Sequence, residues 1–366
     1  MRKRFQARPR AEHGMKVAVI YSDVFLKHEP GPGHPECPER LEVMLRELER
    51  SGLLASGSCE LVEPRPATDE DLALLHDPGY VRWVRELCAR GGGVMDLGDT
   101  VASPGSFEAA VHAAGAAIQA VDLVLEGRYK AAFALVRPPG HHAGRDYARG
   151  FCIFNNVALA AQHLIERRGL ERVAIIDIDA HHGNGTQEFF YETDRVLYAS
   201  LHQDPTWFPG TGFEDEVGTL AGRGFTINIP LPFLIGDDIY LRAVEDIVAP
   251  IVEQYEPQFV LASVGFDTHY ADPVARLGLS MLGHLRAFAT IARLAGRCCS
   301  GRLVAVLEGG YSLTHIGKML AADLAFLTGH DYELVDEETR TPPRLREKAE
   351  KVLREVRRIQ SEFWQL

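Results

Sequence analysis

The stretch IIDIDAHHGNG, residues 175 to 185, places two aspartates and two histidines at the end of a run of β-branched apolar residues. Carboxylates and imidazoles are costly to bury there unless a cation or a partner compensates them, so the cluster asks for a chemical reason. While the chain stays extended, Asp177, Asp179 and His181 project to one side, and Asp179 and His181 can reach one ion from the same edge. Asp267, in GFDTHYADP, comes from a different segment. It completes an oxygen, nitrogen, oxygen set with a position left for water, the pattern of a catalytic divalent site. Asp177, one step deeper, suits either the orientation of a neighbouring imidazole or the binding of a monovalent cation. A lone Asp-x-Asp or His-His is more often a capped turn or a satisfied surface pair; the weight here comes from several such groups placed alike.

The elements that must position them are short apolar runs alternating with helical patterns. Strands are predicted at Val17 to Tyr21, Ala132 to Val136, Val173 to Ile178, Val196 to Leu201, Phe225 to Ile229, Phe259 to Val264 and Leu303 to Leu307. Helical segments include Glu108 to Leu125, Val157 to Arg167, Asp238 to Gln254 and Leu282 to Leu294. This alternation predicts an α/β fold with a doubly wound, mainly parallel sheet and helices on both faces. Four strands run into polar motifs: RPPGHHAG with His141 and His142, the opening cluster, GFD with Asp267, and EGGY with Tyr311. Ligands bind at the carboxyl edge of such a sheet, so residues far apart in sequence can meet there.

The chain has 366 residues, 46% of them hydrophobic, enough for a large core. A net charge of -12 argues against a nucleic-acid partner. Six cysteines without paired spacing predict reduced thiols and a cytoplasmic setting. No apolar run is read as reaching the ~18 residues of a membrane span. Residues 1 to 14 are basic and lack the apolar region of a signal peptide, so they read as a loose arm or an alternative translation start. Residues 15 to 366 read as a single domain that includes a C-terminal surface helix over residues 343 to 366.

RPPGHHAG, GFCIFNNVALAA, DIDAHHGNGTQEFFY, SLHQ with FPGTG, GFDTHYADP and LEGGY resemble, in order and spacing, the zinc-dependent histone deacetylase family. The likeness is to its class II branch, with bacterial histone deacetylase-like and acetylpolyamine amidohydrolases, and it implies the eight-stranded arginase/deacetylase fold. It implies one Zn2+ held by Asp179, His181 and Asp267, with a metal-bound water attacking an amide carbonyl. His142 would be general base and then acid. His141, paired with Asp177, would hold the water, and Tyr311 would stabilise the oxyanion. Gly150, Phe151 and Phe208 would line a narrow tunnel, Arg40 would sit by an acetate exit, and Asp99 is a candidate rim residue. A structural K+ would take Asp177, Asp179, His181, Ser200 and Leu201; a second would take the carbonyls of Phe190, Thr193, Val196 and Phe225.

Asn184 stands where class I relatives carry an aspartate, so the partner of His142 is neutral. Val274 follows Asp272-Pro273, where polyamine-selective relatives place an acidic residue. The expected substrate is therefore an acyl-lysine in a protein or peptide, or a small acylated amine. An acetylpolyamine amidohydrolase and, more remotely, a non-catalytic sensor of an acetylated ligand are the alternatives. A two-manganese ureohydrolase would need aspartates where Gly183 and Gly265 stand. Oligomeric state is not legible.

Overall fold

Eight strands pair into one sheet, and every neighbouring pair runs parallel. In chain order they are β1 (Val17–Ile20), β2 (Cys59–Val62), β3 (Ala131–Ala134), β4 (Val173–Asp177), β5 (Val196–Gln203), β6 (Thr226–Leu231), β7 (Phe259–Val264) and β8 (Leu303–Leu307). The computed structural model describes Lys3–Phe5 and residues 16–366. All strands but β2 are buried along their whole length, as expected for a parallel sheet covered on both faces.

Across the sheet the order is β2-β1-β3-β8-β7-β4-β5-β6. The last two strands of this sheet in chain order thus insert between β3 and β4. The four central neighbours, β3, β8, β7 and β4, are the four whose carboxyl ends carry the polar motifs. The order of pairing therefore gathers His141 and His142, Tyr311, Asp267 and the Asp177-to-His181 run at one edge, where a doubly wound sheet binds its ligands.

The predicted strands are found, Phe259–Val264 and Leu303–Leu307 with the predicted ends and the others with ends moved by one or two residues. The exception is β2, which has no counterpart among the predicted runs. It is a short edge strand, CELV, with only Cys59 buried and Glu60 and Leu61 exposed, so it carries neither a continuous apolar run nor a clean alternation. The segment predicted helical from Asp238 to Gln254 is Asp237–Ala243, a wider π turn at Val244–Val248, and Ala249–Tyr255. Pro250 has no N–H to give to the preceding turn, which accounts for the local widening. The C-terminal helix is Pro343–Gln360, shorter than expected, with residues 361 to 366 beyond its end.

One further expectation needs correction. The helix Ser106–Leu125 is 20 residues long and apolar enough to meet the length and composition of a membrane span. Its Ala109, Ala113, Ala116, Ala117 and Ala120 are instead buried in the fold, where it packs against β3 and the helix Asn156–Glu166. Within the basic arm, Lys3–Phe5 pairs antiparallel with Leu334–Asp336. The rest of residues 1 to 14 lies outside the described residues.

Candidate active site

Asp179 and His181 leave the end of β4, and Asp267 leaves the end of β7, its neighbour. Their ligand atoms lie within 4.8 Å of one another. His181 Nδ1 is 3.3 Å from Asp179 Oδ1 and 3.0 Å from Asp267 Oδ2. The other carboxylate oxygens are held by backbone: Asp179 Oδ2 accepts from Gly309 N at 2.8 Å and Asp267 Oδ1 from Ala180 N at 2.9 Å. Asp267 Oδ2 is buried and makes no hydrogen bond among the described residues; its contact with His181 is close but not aligned as one. A Cβ on Gly309 would lie 2.7 Å from both Asp179 Oδ2 and Asp267 Oδ2, so a glycine keeps that space clear. Burial and the charge of Asp179 push the Asp267 carboxyl up to about 7. Two buried carboxylates and an imidazole, one oxygen orphaned and one carboxyl unable to hold its charge alone, fit a divalent cation.

The adjacent histidines are held in opposite states. His141 Nδ1 is 3.0 Å from Asp177 Oδ2, which also accepts from Tyr198 Oη at 3.1 Å. Burial presses the His141 pKa down, but Asp177, Asp179 and Glu308 outweigh it and raise it to about 10. His142 Nδ1 instead meets Asn184 Oδ1 at 2.8 Å. Burial first, then the charges of His141 and His181, holds His142 well below the usual imidazole range, so it is neutral. The Asn184 Nδ2 donates to the His142 carbonyl, leaving Oδ1 to accept the Nδ1 proton. The Nε2 of His142 is then the unprotonated nitrogen.

Tyr311 follows β8. Its backbone N–H donates to Asp272 Oδ2 at 2.7 Å, while Asp272 Oδ1 takes Val274 N and Ala275 N. Burial keeps the phenol far above its ordinary pKa despite the Arg40 guanidinium, 4.9 Å from the ring centroid, so Tyr311 remains a proton donor. Arg40 is fully buried beneath it, donating to the carbonyls of Gly310 and Glu308 and to Glu36.

Phe208 meets His142 and His181 edge to face, with centroids at 4.9 and 5.9 Å, and Phe151 meets Tyr311 at 5.8 Å. Gly150 precedes Phe151 with φ of 56°, and a Cβ there would lie 2.4 Å from the His142 ring. Asp99 is exposed; its carbonyl accepts from His34 Nε2, and the His34 ring rests on Phe151 at 4.7 Å. Asp177 and Ser200 are register partners on β4 and β5, with Leu201 next along β5. In the second carbonyl set, Phe190 O accepts from Thr193 N and Phe225 O from Tyr198 N, while Val196 opens β5.

A family profile described as "Histone deacetylase domain" matches residues 34–327. The chain belongs to the histone deacetylase family. It is 40% identical over 364 residues to a "Probable deacetylase" of Archaeoglobus fulgidus, covering 96% of this chain and 99% of that one. It is 39% identical over 318 residues to the "Histone deacetylase-like amidohydrolase" of Pseudomonas aeruginosa, covering 82% and 83% of the two chains. The crystal structure of the HDA15 HD domain superposes with a TM-score of 0.85 at 35% identity, covering 96% of this chain and 95% of that one. The protein is thus a histone deacetylase family hydrolase with the arginase/deacetylase fold.

Several residues of this histone deacetylase domain were not singled out from sequence. Glu308 Oε2 accepts from Gly140 N and His141 N and so seats the loop that carries the paired histidines. Asp272 fixes the backbone of Tyr311. Glu36, Arg137 and His28 form a buried ionic group with Arg40. Glu308 and Asp272 stand inside the quoted motifs LEGGY and GFDTHYADP, which was the one signal available for them.

Proposed function

We propose that this chain is a zinc-dependent amidohydrolase that removes an acyl group, most simply acetyl, from the side-chain amine of lysine in a protein or peptide, or from a related small acylated amine. The observation that carries the reading is the convergence of Asp179, His181 and Asp267 beside a neutral His142 and a protonated Tyr311. Asp179, His181 and Asp267 would hold one Zn2+, which when bound polarises an amide carbonyl and acidifies water. His142 Nε2 takes the proton of the attacking water and passes it to the departing amine. His141, kept positive by Asp177, supports the negative charge that develops, and Tyr311 donates its hydroxyl to the oxyanion. Phe151 and Phe208 exclude water and grip a methylene chain in a tunnel, with Arg40 at an acetate exit behind Tyr311 and Asp99 at the rim. A K+ on Asp177, Asp179, His181, Ser200 and Leu201 would brace the zinc loop, and a second would lie on the carbonyls of Phe190, Thr193, Val196 and Phe225.

Val274 favours lysine over polyamine: no carboxylate follows Asp272-Pro273 to select a distant ammonium group. A two-manganese site is disfavoured, because a Cβ on Gly265 would lie 2.1 Å from Asp179 Oδ2 and one on Gly183 2.5 Å from Asp177 Oδ2.

The test is kcat/KM of the zinc-loaded protein on an acetyl-lysine peptide, N-acetylputrescine and a long-chain acyl-lysine peptide, with metal counted per chain. A preference of ~10²-fold for the acetyl-lysine peptide, about 2.7 kcal/mol, is expected with one zinc per chain. No hydrolysis of any of the three by a fully loaded protein refutes the reading.

A further inference from the structure

The amide of Asn184 is held by more than His142. Its Nδ2 donates to the His142 carbonyl and also to the phenol oxygen of Tyr147, each at 3.3 Å. Tyr147 Oη donates in turn to Glu188 Oε2 at 2.6 Å. Glu188 is exposed, and a surface cleft of about 430 Å³ is lined by Glu188, Tyr147 and Asn184 together. A run of hydrogen bonds therefore leads from solvent to Nδ1 of the buried His142.

Its direction is fixed at the inner end by the His142 carbonyl, which can only accept from Nδ2, and again from the outer end. An ionised carboxylate can only accept, so the Tyr147 hydroxyl must donate to it and keeps its oxygen free to accept. Only the NH2 side of Asn184 can donate to that oxygen, which turns Oδ1 toward His142 and demands a proton on Nδ1. Hydrogen bonds in series also polarise one another, so the anion at Glu188 strengthens each link inward. Burial and Glu188 hold the Tyr147 phenol well above its ordinary pKa, which keeps the donor in place. Gly144 makes the seat: a Cβ there would lie 2.2 Å from Tyr147 Cε1. In the neighbouring dyad a carboxylate, Asp177, bonds His141 Nδ1 directly.

We propose that Tyr147 and Glu188 are positioning residues for the general base, a surface carboxylate acting through a phenol and an amide to fix the tautomer of His142. The proposal rests on reading His142 as the base.

The test uses the zinc-loaded full chain with an acetyl-lysine peptide, together with nitrogen NMR of the His142 ring. Tyr147→Phe and Glu188→Gln are each expected to lower kcat about tenfold with KM unchanged, and to lower the share of His142 protonated on Nδ1. The loss is limited because Asn184 keeps its bond to the His142 carbonyl. Gly144→Ala, which displaces the Tyr147 ring, is expected to reproduce Tyr147→Phe. In an Asn184→Ala background Tyr147→Phe and Glu188→Gln are expected to be silent in the residual kcat and in the ring spectrum. Wild-type kcat and an unchanged ring spectrum in Tyr147→Phe and Glu188→Gln overturn the relay. Losses that persist in Asn184→Ala also overturn it, because they show a route through packing. If the wild-type protein fails to hydrolyse the peptide, the catalytic reading falls, and the ring spectrum still decides whether the relay sets the tautomer.

Discussion

Glu36 and Asp267 are both fully buried carboxylates, and their surroundings differ in kind. Glu36 is bonded by Arg137 Nη2 at 2.7 Å and Arg40 Nη1 at 3.0 Å, with His28 Nε2 at 3.2 Å. Burial alone would push its carboxyl up, but Arg137 and His28 reverse this and hold it well below the usual range. Asp267 has backbone and one imidazole, and the same burial carries it up to about 7. The first carboxylate finds two guanidinium cations within the chain and so needs no charge from outside. The second is left short of positive charge, which is the condition for recruiting a cation from outside.

The comparison breaks most completely at the second group. Asp267→Ala is expected to abolish zinc binding, seen as less than one metal per ten chains by elemental analysis, and to reduce turnover to background with the fold retained by circular dichroism. At the first group the loss is of stability. Glu36→Gln leaves two buried guanidinium groups without their anion and is expected to cost about 3–5 kcal/mol in urea unfolding, with metal content per folded chain unchanged. The sign with pH follows from the depressed pKa. The contribution of Glu36 is whole above its unfolded value near 4.5 and fades as the pH falls through the lower folded value, so wild type and variant should converge only in acid.

Tyr311→Phe sharpens the contrast by removing chemistry without removing a charged residue from either group. It is expected to keep the zinc and the fold and to lower kcat by about 10²–10³, measured at saturating acetyl-lysine peptide. The smallest effect is linkage. Zinc at a hundred times its Kd is expected to raise wild-type stability by about 2.7 kcal/mol, and to do nothing for Asp267→Ala. Equal stabilisation of both proteins would place the zinc somewhere other than Asp179, His181 and Asp267.

The same contrast explains what could be read in the sequence. Asp179, His181, His142 and Tyr311 stand in short motifs directly after apolar strands, so their meeting at one sheet edge followed from the parallel pattern. Arg137 reaches Glu36 and His28 from more than a hundred residues further along the chain, and no spacing rule joins them. The strand β2 was illegible for a related reason: an edge strand with one buried residue in four has no periodicity to detect. The Tyr147–Glu188 pair was hidden because its meaning lies in a contact with Asn184 and not in either residue's neighbours along the chain.

The insertion of β7 and β8 between β3 and β4 has a consequence for biosynthesis. A nascent chain that has emerged only through β6 carries both histidine motifs and two of the candidate metal ligands, but the slot that must receive Asp267 and Tyr311 is still open. Until residues 259 to 307 leave the ribosome, β3 and β4 present unpaired edges toward each other, a template for wrong partners. Closing that slot is a long-range step late in synthesis. Truncated products should therefore depend on chaperones and bind no zinc, which couples metal acquisition to completion of the polypeptide.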